Sequence, residues 1–277
     1  MSSTPPRLWV VATPLGNLGD LSFRAREVLS RVSTILAEDT RRARHLYDLL
    51  EIPAPRLISS HEHNEESRVT AVLDLLSRED VALISDAGTP LVSDPGFVIV
   101  RACREAGIEV VPIPGPCAPV AALMASGFPP QPFVFLGFLP RRPGAIRDLF
   151  LPYAGLSATM AFFERKDRVS RTLETLFPVL GPRRFCLARE LTKVHEEFIF
   201  GVLGQELKGL DELRGEITVL VAPPEQKPER VPRELVENMV REETARGGRP
   251  RAVAKIVSGR CPGWSSGEVY ALLLERR

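Results

Sequence analysis

The chain has 277 residues, of which 44% are hydrophobic and 26% are charged, and its formal net charge at pH 7 is +1. A chain of this length and composition can bury a core, so we expect two or three compact units and not a disordered protein. No apolar run approaches the ~20 residues that a membrane-spanning helix needs, and the N-terminus lacks the pattern of a signal peptide. The four scattered cysteines have no disulfide or zinc spacing. We therefore expect a cytoplasmic protein with reduced thiols and no membrane partner.

The charge is unevenly distributed along the chain. From residue 226 onward there are 11 Lys and Arg residues against seven Asp and Glu residues, so the remainder is slightly acidic. A basic C-terminal segment on an acidic body is compatible with a polyanionic partner.

Short apolar runs alternate with helical patterns through the first half of the chain. The runs are LWVVA (8–12), TILA (34–37), RLIS (56–59), VALIS (81–85) and IEVVPI (108–113). Helical patterns follow them near 22–31, 40–50, 65–77, 96–106 and 118–126. Continuous apolar strands that alternate with helices predict a mostly parallel sheet covered on both faces. We assign residues 1–119 to this N-terminal α/β domain.

Ligands of such sheets bind outside the carboxyl ends of the strands. The five segments that directly follow the strands are TPLGNLGD (13–20), EDTRR (38–42), SHEHNEE (60–66), SDAGTPLVSDPG (85–96) and PGPCAP (114–119). Every unusual stretch of the first half falls in one of them, so we expect the binding site there.

The pattern changes from about residue 130. FVFLGFL, ATMAFFE, RFCLARE, HEEFIFGVL and GEITVLVA predict strands, with helices near 142–150 and 167–179. The last three strands follow one another closely enough to form antiparallel pairs, so we expect a second, mixed α/β domain over 120–222. A Pro-rich linker (223–232) then leads to three helices near 232–245, 250–259 and 266–276, and residues 223–277 form a small helix-turn-helix-like module.

The loop SDAGTPLVSDPG has the glycines and prolines of a phosphate-binding loop but two carboxylates, Asp86 and Asp94. Carboxylates would repel a phosphate, whereas they suit a cationic ligand. S-adenosylmethionine, which carries a sulfonium and an ammonium group beside a neutral adenosine, is chemically compatible with this loop.

Nine segments occur in a familiar order: VATPLGNLGDLSFRA, ILAEDTRR, SHEHNEE, SDAGTPLVSDPG, PGPCA, FVFLGFLPR, FFER, LARELTKVHEE and GEITVLVAP. The series resembles the bacterial 16S ribosomal RNA cytidine 2′-O-methyltransferases, a branch of the tetrapyrrole (corrin/porphyrin) methylase superfamily, from about residue 8 to the C-terminus. The resemblance implies a two-domain tetrapyrrole-methylase-like fold, a homodimer, and S-adenosylmethionine as cofactor in the interdomain cleft. SDAGTP replaces the common Gly-Asp-Pro of the superfamily, and PGPCA replaces its Pro-Gly-x-Ser-Ser, which favours the RNA branch.

The resemblance also implies which residues contact the cofactor. They are Pro14, Ser85, Asp86, Ala87, Gly88, Thr89, Pro90, Pro114, Gly115 and Phe163. Of the two loop carboxylates we expect Asp86 to face the cofactor. At least one of Phe162 and Phe163 should pack in the core, and we expect Phe163 to pack against adenine.

Methyl transfer to a ribose hydroxyl needs an in-line geometry and a destination for the hydroxyl proton. Candidates for the proton transfer are Glu38, Asp39, His61, Glu62, His63, Glu164 and Lys193. We assign catalysis to Asp39, Glu164 and Lys193. Two structural alternatives stay open, since Asp39 or Thr40 can simply cap a helix and Lys193 can be a solvated residue at a strand end.

Several basic and polar residues are candidates for contact with the RNA substrate. They are Arg41, Arg42, His61, His63, Asn64, Arg249, Arg251 and Lys255. The His pair of HEHNEE lacks an evident third ligand, so we expect no metal site, and Asn64 can instead cap the next helix. The C-terminal helices either contact phosphates or form a solvated cap on the catalytic body.

The sequence thus predicts an S-adenosylmethionine-dependent enzyme that methylates the 2′-hydroxyl of a cytidine in 16S ribosomal RNA, within the small ribosomal subunit. One rival is a small-molecule tetrapyrrole or corrinoid methyltransferase of the same fold, for which the basic C-terminal module would be superfluous. The other rival is a non-catalytic nucleic-acid-binding regulator, which would not require five unusual strand-end loops.

Overall fold

A computed structural model describes residues 5–206, 209–210, 213–225, 231–261 and 263–274. The chain divides into two compact units, residues 1–223 and residues 224–277. Both predicted α/β halves fall within the first unit, so the boundary at 119/120 stays a prediction. The middle of the predicted linker (226–230) and the end of the last predicted helix (275–276) lie outside the described residues.

Five parallel strands form the first sheet, in the order β3-β2-β4-β1-β5. Their bounds are Arg7–Val11 (β1), Thr34–Ala37 (β2), Arg56–Ser59 (β3), Val81–Ile84 (β4) and Glu109–Ile113 (β5). The residues of β2 and β4 are buried throughout, which explains why these strands are read as continuous apolar runs. The prediction of a parallel first sheet is confirmed.

Helices cover both faces of this sheet. Their bounds are Phe23–Arg31 (α1), Thr40–Leu49 (α2), Glu65–Leu76 (α3), Phe97–Glu105 (α4) and Ala118–Ser126 (α5). One core cluster joins α1 and α2 to the sheet through residues such as Leu29 and Tyr47, and a second cluster joins α3 and α4 through Leu76 and Ile99. Because each strand leads into a helix that returns across a face, all five carboxyl ends meet at one edge of the sheet.

The second sheet is mixed and also has five strands, in the order β6-β7-β10-β8-β9. The strands are Phe133–Phe138 (β6), Thr159–Arg165 (β7), Arg184–Arg189 (β8), Glu197–Val202 (β9) and Glu216–Val221 (β10). Strands β6 and β7 are parallel, and the other neighbours are antiparallel, as predicted. Strand β10, the last in the chain, inserts between β7 and β8, which places Thr218 opposite Phe163 and Ile217 opposite Glu164.

Helices α6 (Pro143–Phe150) and α7 (Val169–Leu180) pack on one face of the second sheet. Helix α5, which follows the first sheet in the chain, packs on its other face, where Ala122 joins a cluster with Ala161 and Leu220. The segment between β5 and α5 therefore lies where the two sheets approach each other.

The second unit contains three helices, α8 (Arg233–Ala245), α9 (Pro250–Arg260) and α10 (Ser266–Leu274). They share a small core of their own, which includes Val236, Val257 and Leu272. Within the described ranges, no helix of the chain is long and apolar enough to cross a membrane.

Candidate active site

A cavity of about 590 Å³ opens at the carboxyl ends of the first sheet. Its walls come from the loops after β1, β2, β4 and β5 on one side and from β7 and β10 of the second sheet on the other. This volume lies within the range of about 300–1,000 Å³ that is usual for small-molecule sites.

Hydrogen bonds tie three of these loops together. Thr13 and Gly88 pair through both main-chain groups, with N···O distances of 2.9 and 3.0 Å. The Thr89 hydroxyl donates to the Pro116 carbonyl at 2.8 Å. The loops after β1, β4 and β5 therefore form one rigid wall of the cavity, which is the wall predicted to hold the cofactor.

Glycine is required at position 88 of this wall. Its φ of +82° lies in the left-handed region, and a Cβ there would stand 3.0 Å from Cδ2 of Leu15. Leu91 and Ser93, which are not glycines, also have positive φ values of 69° and 68°. Such strained residues collect at functional sites, where the surrounding structure holds them in place.

Three carboxylates from the loops after β2 and β4 line the cavity: Glu38, Asp86 and Asp94. Burial, together with the charges of Glu38 and Asp86, raises the pKa of Asp94 to about 7. Burial and the charge of Asp86 likewise raise the pKa of Glu38 above its usual value, against the opposing effect of Arg42 and His61. Mutual repulsion of this kind favours a cationic ligand, because a positive charge would stabilise all three carboxylates.

Asp86 is the member of this group that is bound to a backbone amide and paired with a guanidinium. Its Oδ1 accepts a hydrogen bond of 3.1 Å from the backbone amide of Asp39, and its Oδ2 lies 3.4 Å from Nη1 of Arg42. No ion pair to Glu38 or Asp94 occurs among the described residues. This part of the cavity therefore carries more negative than positive charge, which suits the sulfonium and ammonium groups of S-adenosylmethionine.

Aromatic side chains of the second sheet also line the cavity. Phe163 lines the cavity with its ring 5.1 Å from the rings of both Phe135 and Phe138. The neighbouring Phe162 is fully buried and packs edge-on against Phe150 in the core. The alternation of β7 thus sends one of the two phenylalanines to the core and the other to the cavity, and contact of Phe163 with adenine stays a prediction.

Glu164 lines the cavity but is bound on both oxygens. Its Oε1 accepts from the Arg165 amide at 2.8 Å, and its Oε2 accepts from the Thr172 hydroxyl at 2.7 Å and lies 3.4 Å from Nη2 of Arg168. Arg168 in turn donates to the Leu139 and Pro140 carbonyls. Glu164 therefore holds the segment after β6 in place as well as lining the cavity.

Asp39 begins helix α2. Its carboxylate accepts from the Arg41 amide at 2.8 Å and from the Arg41 guanidinium at 2.8 and 3.1 Å. These bonds lower the pKa of Asp39 to about 2. Asp39 is thus the N-cap of α2, as one alternative from the sequence has it, and it also fixes the exposed side chain of Arg41 next to the cavity residue Arg42.

Lys193 links the loop after β1 with the second sheet. Its Nζ lies 3.0 Å from carboxylate oxygens of both Glu190 and Glu216, and Glu216 lines the cavity. Burial would lower the pKa of Lys193, but the two hydrogen bonds outweigh it and raise the pKa. A Cβ at Gly16 would stand only 2.2 Å from Cγ of Lys193, so the aliphatic stem occupies the space beside this glycine. The Lys193 side chain is therefore partly buried and paired with two carboxylates, and it is not a freely solvated residue at a strand end.

The side chain of Asn64 does not cap helix α3, contrary to one alternative drawn from the sequence. Its Oδ1 accepts from the His61 amide at 2.8 Å, and its Nδ2 lies 3.3 Å from the Ser59 carbonyl and 3.1 Å from Nε2 of His61. The His61 and His63 rings lie 6.0 Å apart. In the part of the chain that the structure describes, no group of three His, Cys, Asp or Glu side chains is placed to hold a metal ion.

The cavity brings together seven of the predicted site residues, which are Arg42, Asp86, Ala87, Gly88, Thr89, Phe163 and Glu164. The remaining predicted cofactor residues, Pro14, Ser85, Pro90, Pro114 and Gly115, lie in the same loops without being among the described lining residues. Gly115 allows close packing, since a Cβ there would stand 2.9 Å from Cβ of Ala12.

Sequence reasoning missed the contribution of β10 to the cavity. Gly215, Glu216 and Thr218 line its wall, because β10 lies next to β7. The alternating polar residues of GEITVLV are the only sequence signal for this, and they do not reveal which strand is the neighbour.

Three basic residues predicted to bind substrate lie in the second unit. Arg249 is the N-cap residue of α9, and Arg251 and Lys255 stand one turn apart on its exposed side. Their neighbours Arg246 and Arg260 both pair with Glu243, at 2.7 and 3.0 Å, whereas Arg249, Arg251 and Lys255 have no ion pair within the described residues.

Comparison with known proteins assigns the family. Residues 7–206 match the family model described as tetrapyrrole (corrin/porphyrin) methylases. A protein named ribosomal RNA small subunit methyltransferase I from Xylella fastidiosa is 45% identical over 79% of this chain and 82% of its own length. The chain belongs to the tetrapyrrole methylase family, in its ribosomal RNA small subunit methyltransferase I branch.

Solved structures of tetrapyrrole methylases share the fold. The methyltransferase CobJ matches with a TM-score of 0.61 and 20% identity over 82% of this chain and 97% of its own. The uroporphyrin-III C-methyltransferase of Thermus thermophilus, solved with S-adenosylhomocysteine, matches with a TM-score of 0.55 and 17% identity over 78% and 97% of the two chains. Family membership and fold class, both predicted from the sequence, are confirmed, and the protein is a methyltransferase.

Proposed function

We propose that this methyltransferase transfers the methyl group of S-adenosylmethionine to the ribose 2′-hydroxyl of a cytidine in 16S ribosomal RNA. The observation that carries the proposal is the acidic cavity at the strand ends, in a chain closely similar to a ribosomal RNA small subunit methyltransferase. S-adenosylmethionine, when bound, supplies a methyl group on a positively charged sulfur. The residues of the protein bind and orient the two reactants and accept the hydroxyl proton.

The cofactor side of the cavity is the wall formed by the loops after β1, β4 and β5. Asp86 and Asp94 meet the positive charge of the cofactor, and Phe163 packs against its adenine. The glycines of the wall, Gly88 and Gly115, let these loops pack closely against one another. The same loops supply Pro14, Ser85, Ala87, Thr89, Pro90 and Pro114.

The RNA side is the edge of the cavity at the ends of β2 and β3. Arg42 lines the cavity, and the side chain of Arg41 is 89% exposed, so both guanidiniums can reach RNA phosphates. His61, His63 and Asn64 follow the adjacent strand and complete this edge.

Asp39, Glu164 and Lys193 act in catalysis mainly by positioning other groups. Asp39 fixes Arg41, Glu164 holds Arg168 and with it the segment after β6, and Lys193 fixes the cavity residue Glu216. Asp39→Asn and Lys193→Met should each reduce turnover and leave cofactor affinity nearly intact. Unchanged turnover would remove that residue from the group.

The second unit adds affinity for RNA. Arg249, Arg251 and Lys255 are exposed and free of protein partners among the described residues, so their charge is available to phosphates. Such contacts carry no sequence information by themselves, which leaves the choice of nucleotide to the first unit and to the RNA structure.

We further propose that the enzyme is a cytoplasmic homodimer that acts on RNA within the small ribosomal subunit. An apolar stripe supports the dimer, since Val120 and Met124 lie one turn apart on α5 and are 51% and 82% exposed. Light scattering measures the mass directly, and a monomer at micromolar concentration would contradict this part.

The decisive assay offers three substrates with tritium-labelled S-adenosylmethionine: immature 30S subunits, naked 16S RNA and a porphyrinoid. Label in either RNA substrate is the expected result. Label only in the porphyrinoid would favour the tetrapyrrole rival. If calorimetry detects no S-adenosylmethionine binding, both enzymatic functions are contradicted and the nucleic-acid-binding regulator is favoured.

A further inference from the structure

We propose that Glu38 is the general base that removes the proton from the hydroxyl group during methyl transfer. The inference rests on the proposed function, because it assumes that the methylated atom is a hydroxyl oxygen. It identifies a residue for proton transfer and adds to the positioning roles of Asp39, Glu164 and Lys193.

The carboxylate of Glu38 is available in the cavity. Glu38 directly follows β2 and lines the cavity, and within the described ranges its side chain makes no hydrogen bond or ion pair. Of the other acidic candidates, Glu62 is exposed and is not among the residues that line the cavity, and the rest are occupied. Asp39 is held by Arg41, Asp86 by the Asp39 amide and Arg42, and Glu164 by Thr172, Arg168 and a backbone amide.

Asp94 is the other cavity carboxylate without a cationic partner, but it lies on the cofactor side. It belongs to the loop after β4, which Gly88 and Thr89 tie to the loops after β1 and β5. Glu38 lies outside that network of bonds, at the end of β2, where Arg41 and Arg42 follow it in the chain. Because β2 and β4 are neighbours in the sheet, Glu38 lies next to the cofactor loop without belonging to it.

The two carboxylates are nevertheless close enough for their charges to interact. Proximity is needed, because the oxygen that loses its proton must attack a methyl group held by the cofactor. Glu38 therefore stands beside the cofactor position without being part of the cofactor wall.

The electrostatic surroundings of Glu38 suit a base. Burial and the charges of Asp86 and Asp39 raise its pKa, whereas Arg42 and His61 lower it. A carboxylate whose pKa lies above the ordinary value is a stronger proton acceptor once it is ionised.

The step balances without a further reactant. The hydroxyl oxygen forms the new bond to the methyl carbon, the carbon–sulfur bond breaks with its electron pair on sulfur, and the proton passes to Glu38. The products are a methyl ether, a neutral thioether and a protonated Glu38, which returns its proton to water.

Glu38→Gln tests the proposal because it keeps the shape of the side chain and removes the proton acceptor. With an RNA substrate that the wild-type enzyme methylates, we expect kcat to fall by about 100-fold or more, which is the scale of general base catalysis. The affinity for S-adenosylhomocysteine, measured by calorimetry, should stay within about threefold. The limb of the pH–kcat profile that rises with pH should disappear.

Two further variants make the result decisive. Glu38→Asp keeps a carboxylate and should retain the rising limb at a reduced rate, and it replaces Glu38→Gln if that variant fails to fold. Glu174→Gln removes an exposed carboxylate of α7 that does not line the cavity and should leave kcat unchanged. A kcat of Glu38→Gln within about fivefold of wild type, or a large loss of S-adenosylhomocysteine affinity, would overturn the proposal. If wild-type enzyme methylates no RNA, it is the proposed function that fails.

Discussion

The backbone amide of Asp39 donates a 3.1 Å hydrogen bond to the carboxylate of Asp86, which fastens the loop after β2 to the loop after β4. The second oxygen of Asp86 lies 3.4 Å from the guanidinium of Arg42, one turn into helix α2. The start of α2, and with it the RNA side of the cavity, is thereby fixed to the cofactor loop by a single side chain.

Removal of Asp86 should therefore disturb both sides of the site. Asp86→Ala leaves the Asp39 amide unsatisfied, so we expect a loss of about 1–3 kcal/mol in the free energy of unfolding and at least tenfold weaker cofactor binding. Asp86→Asn keeps an acceptor oxygen and should lose less stability. Urea unfolding and calorimetry measure the two effects, and equal stability of the two variants would contradict this role of the hydrogen bond.

Asp94 should make the stability of the ligand-free protein fall as pH rises. Its pKa is about 7 in the folded protein against 3.8 for the free group, so between these pH values the folded chain binds a proton that the unfolded chain has lost. Stability therefore decreases from about pH 4 to about pH 7. Asp94→Asn should unfold at higher urea concentration than wild type at pH 8 and at a similar concentration near pH 4. The exposed Asp48→Asn serves as control, and a difference independent of pH would refute the raised pKa.

Gly16 and Lys193 should be energetically coupled. Gly16→Ala places a methyl group where the stem of Lys193 runs, so we expect about 1–3 kcal/mol of destabilisation and a loss of turnover as the ammonium leaves Glu190 and Glu216. In a Lys193→Ala background, which has no Cγ, the same substitution should cost much less. A double-mutant cycle measures the difference, and additive effects would show that the two residues act independently.

Arg249, Arg251 and Lys255, which have no ion pair among the described residues, should contribute to the salt dependence of RNA binding. Arg249→Gln, Arg251→Gln and Lys255→Gln should each weaken RNA binding and reduce the slope of log K against log salt by about one, by analogy with single phosphate contacts. Arg260→Gln is the matched control, since Arg260 already pairs with Glu243. Filter binding at several salt concentrations tests this, and an equal effect of the control would argue against a specific phosphate surface.

Much of the fold follows from local patterns. The buried runs TILA and VALI become the inner strands β2 and β4, and the Ser265–Glu268 spacing becomes a capping box with bonds of 2.8 and 3.2 Å. Periodicity and capping depend on a few neighbouring residues, so they can be predicted directly from the sequence.

Only part of the candidate site can be predicted from residues that are close in the sequence. Asp86 and Asp94 could be located at a strand end from the sequence, but the contacts that distinguish them come from α2 and from Glu38, which are distant in the chain. The insertion of β10 between β7 and β8, which brings Glu216 to the cavity, depends on sheet order and has no signal in any single segment. The position of Asn64 likewise suggests a helix cap, but its side chain instead accepts a hydrogen bond from the His61 amide.

The most direct test of the proposed function is the chemical position of the transferred methyl group. RNA methylated with labelled S-adenosylmethionine is digested to nucleosides, which are then separated and identified by mass spectrometry. We predict that the label formed by the wild-type enzyme elutes as 2′-O-methylcytidine. Label on a cytosine base, on another nucleoside, or only on a porphyrinoid offered in parallel would contradict it.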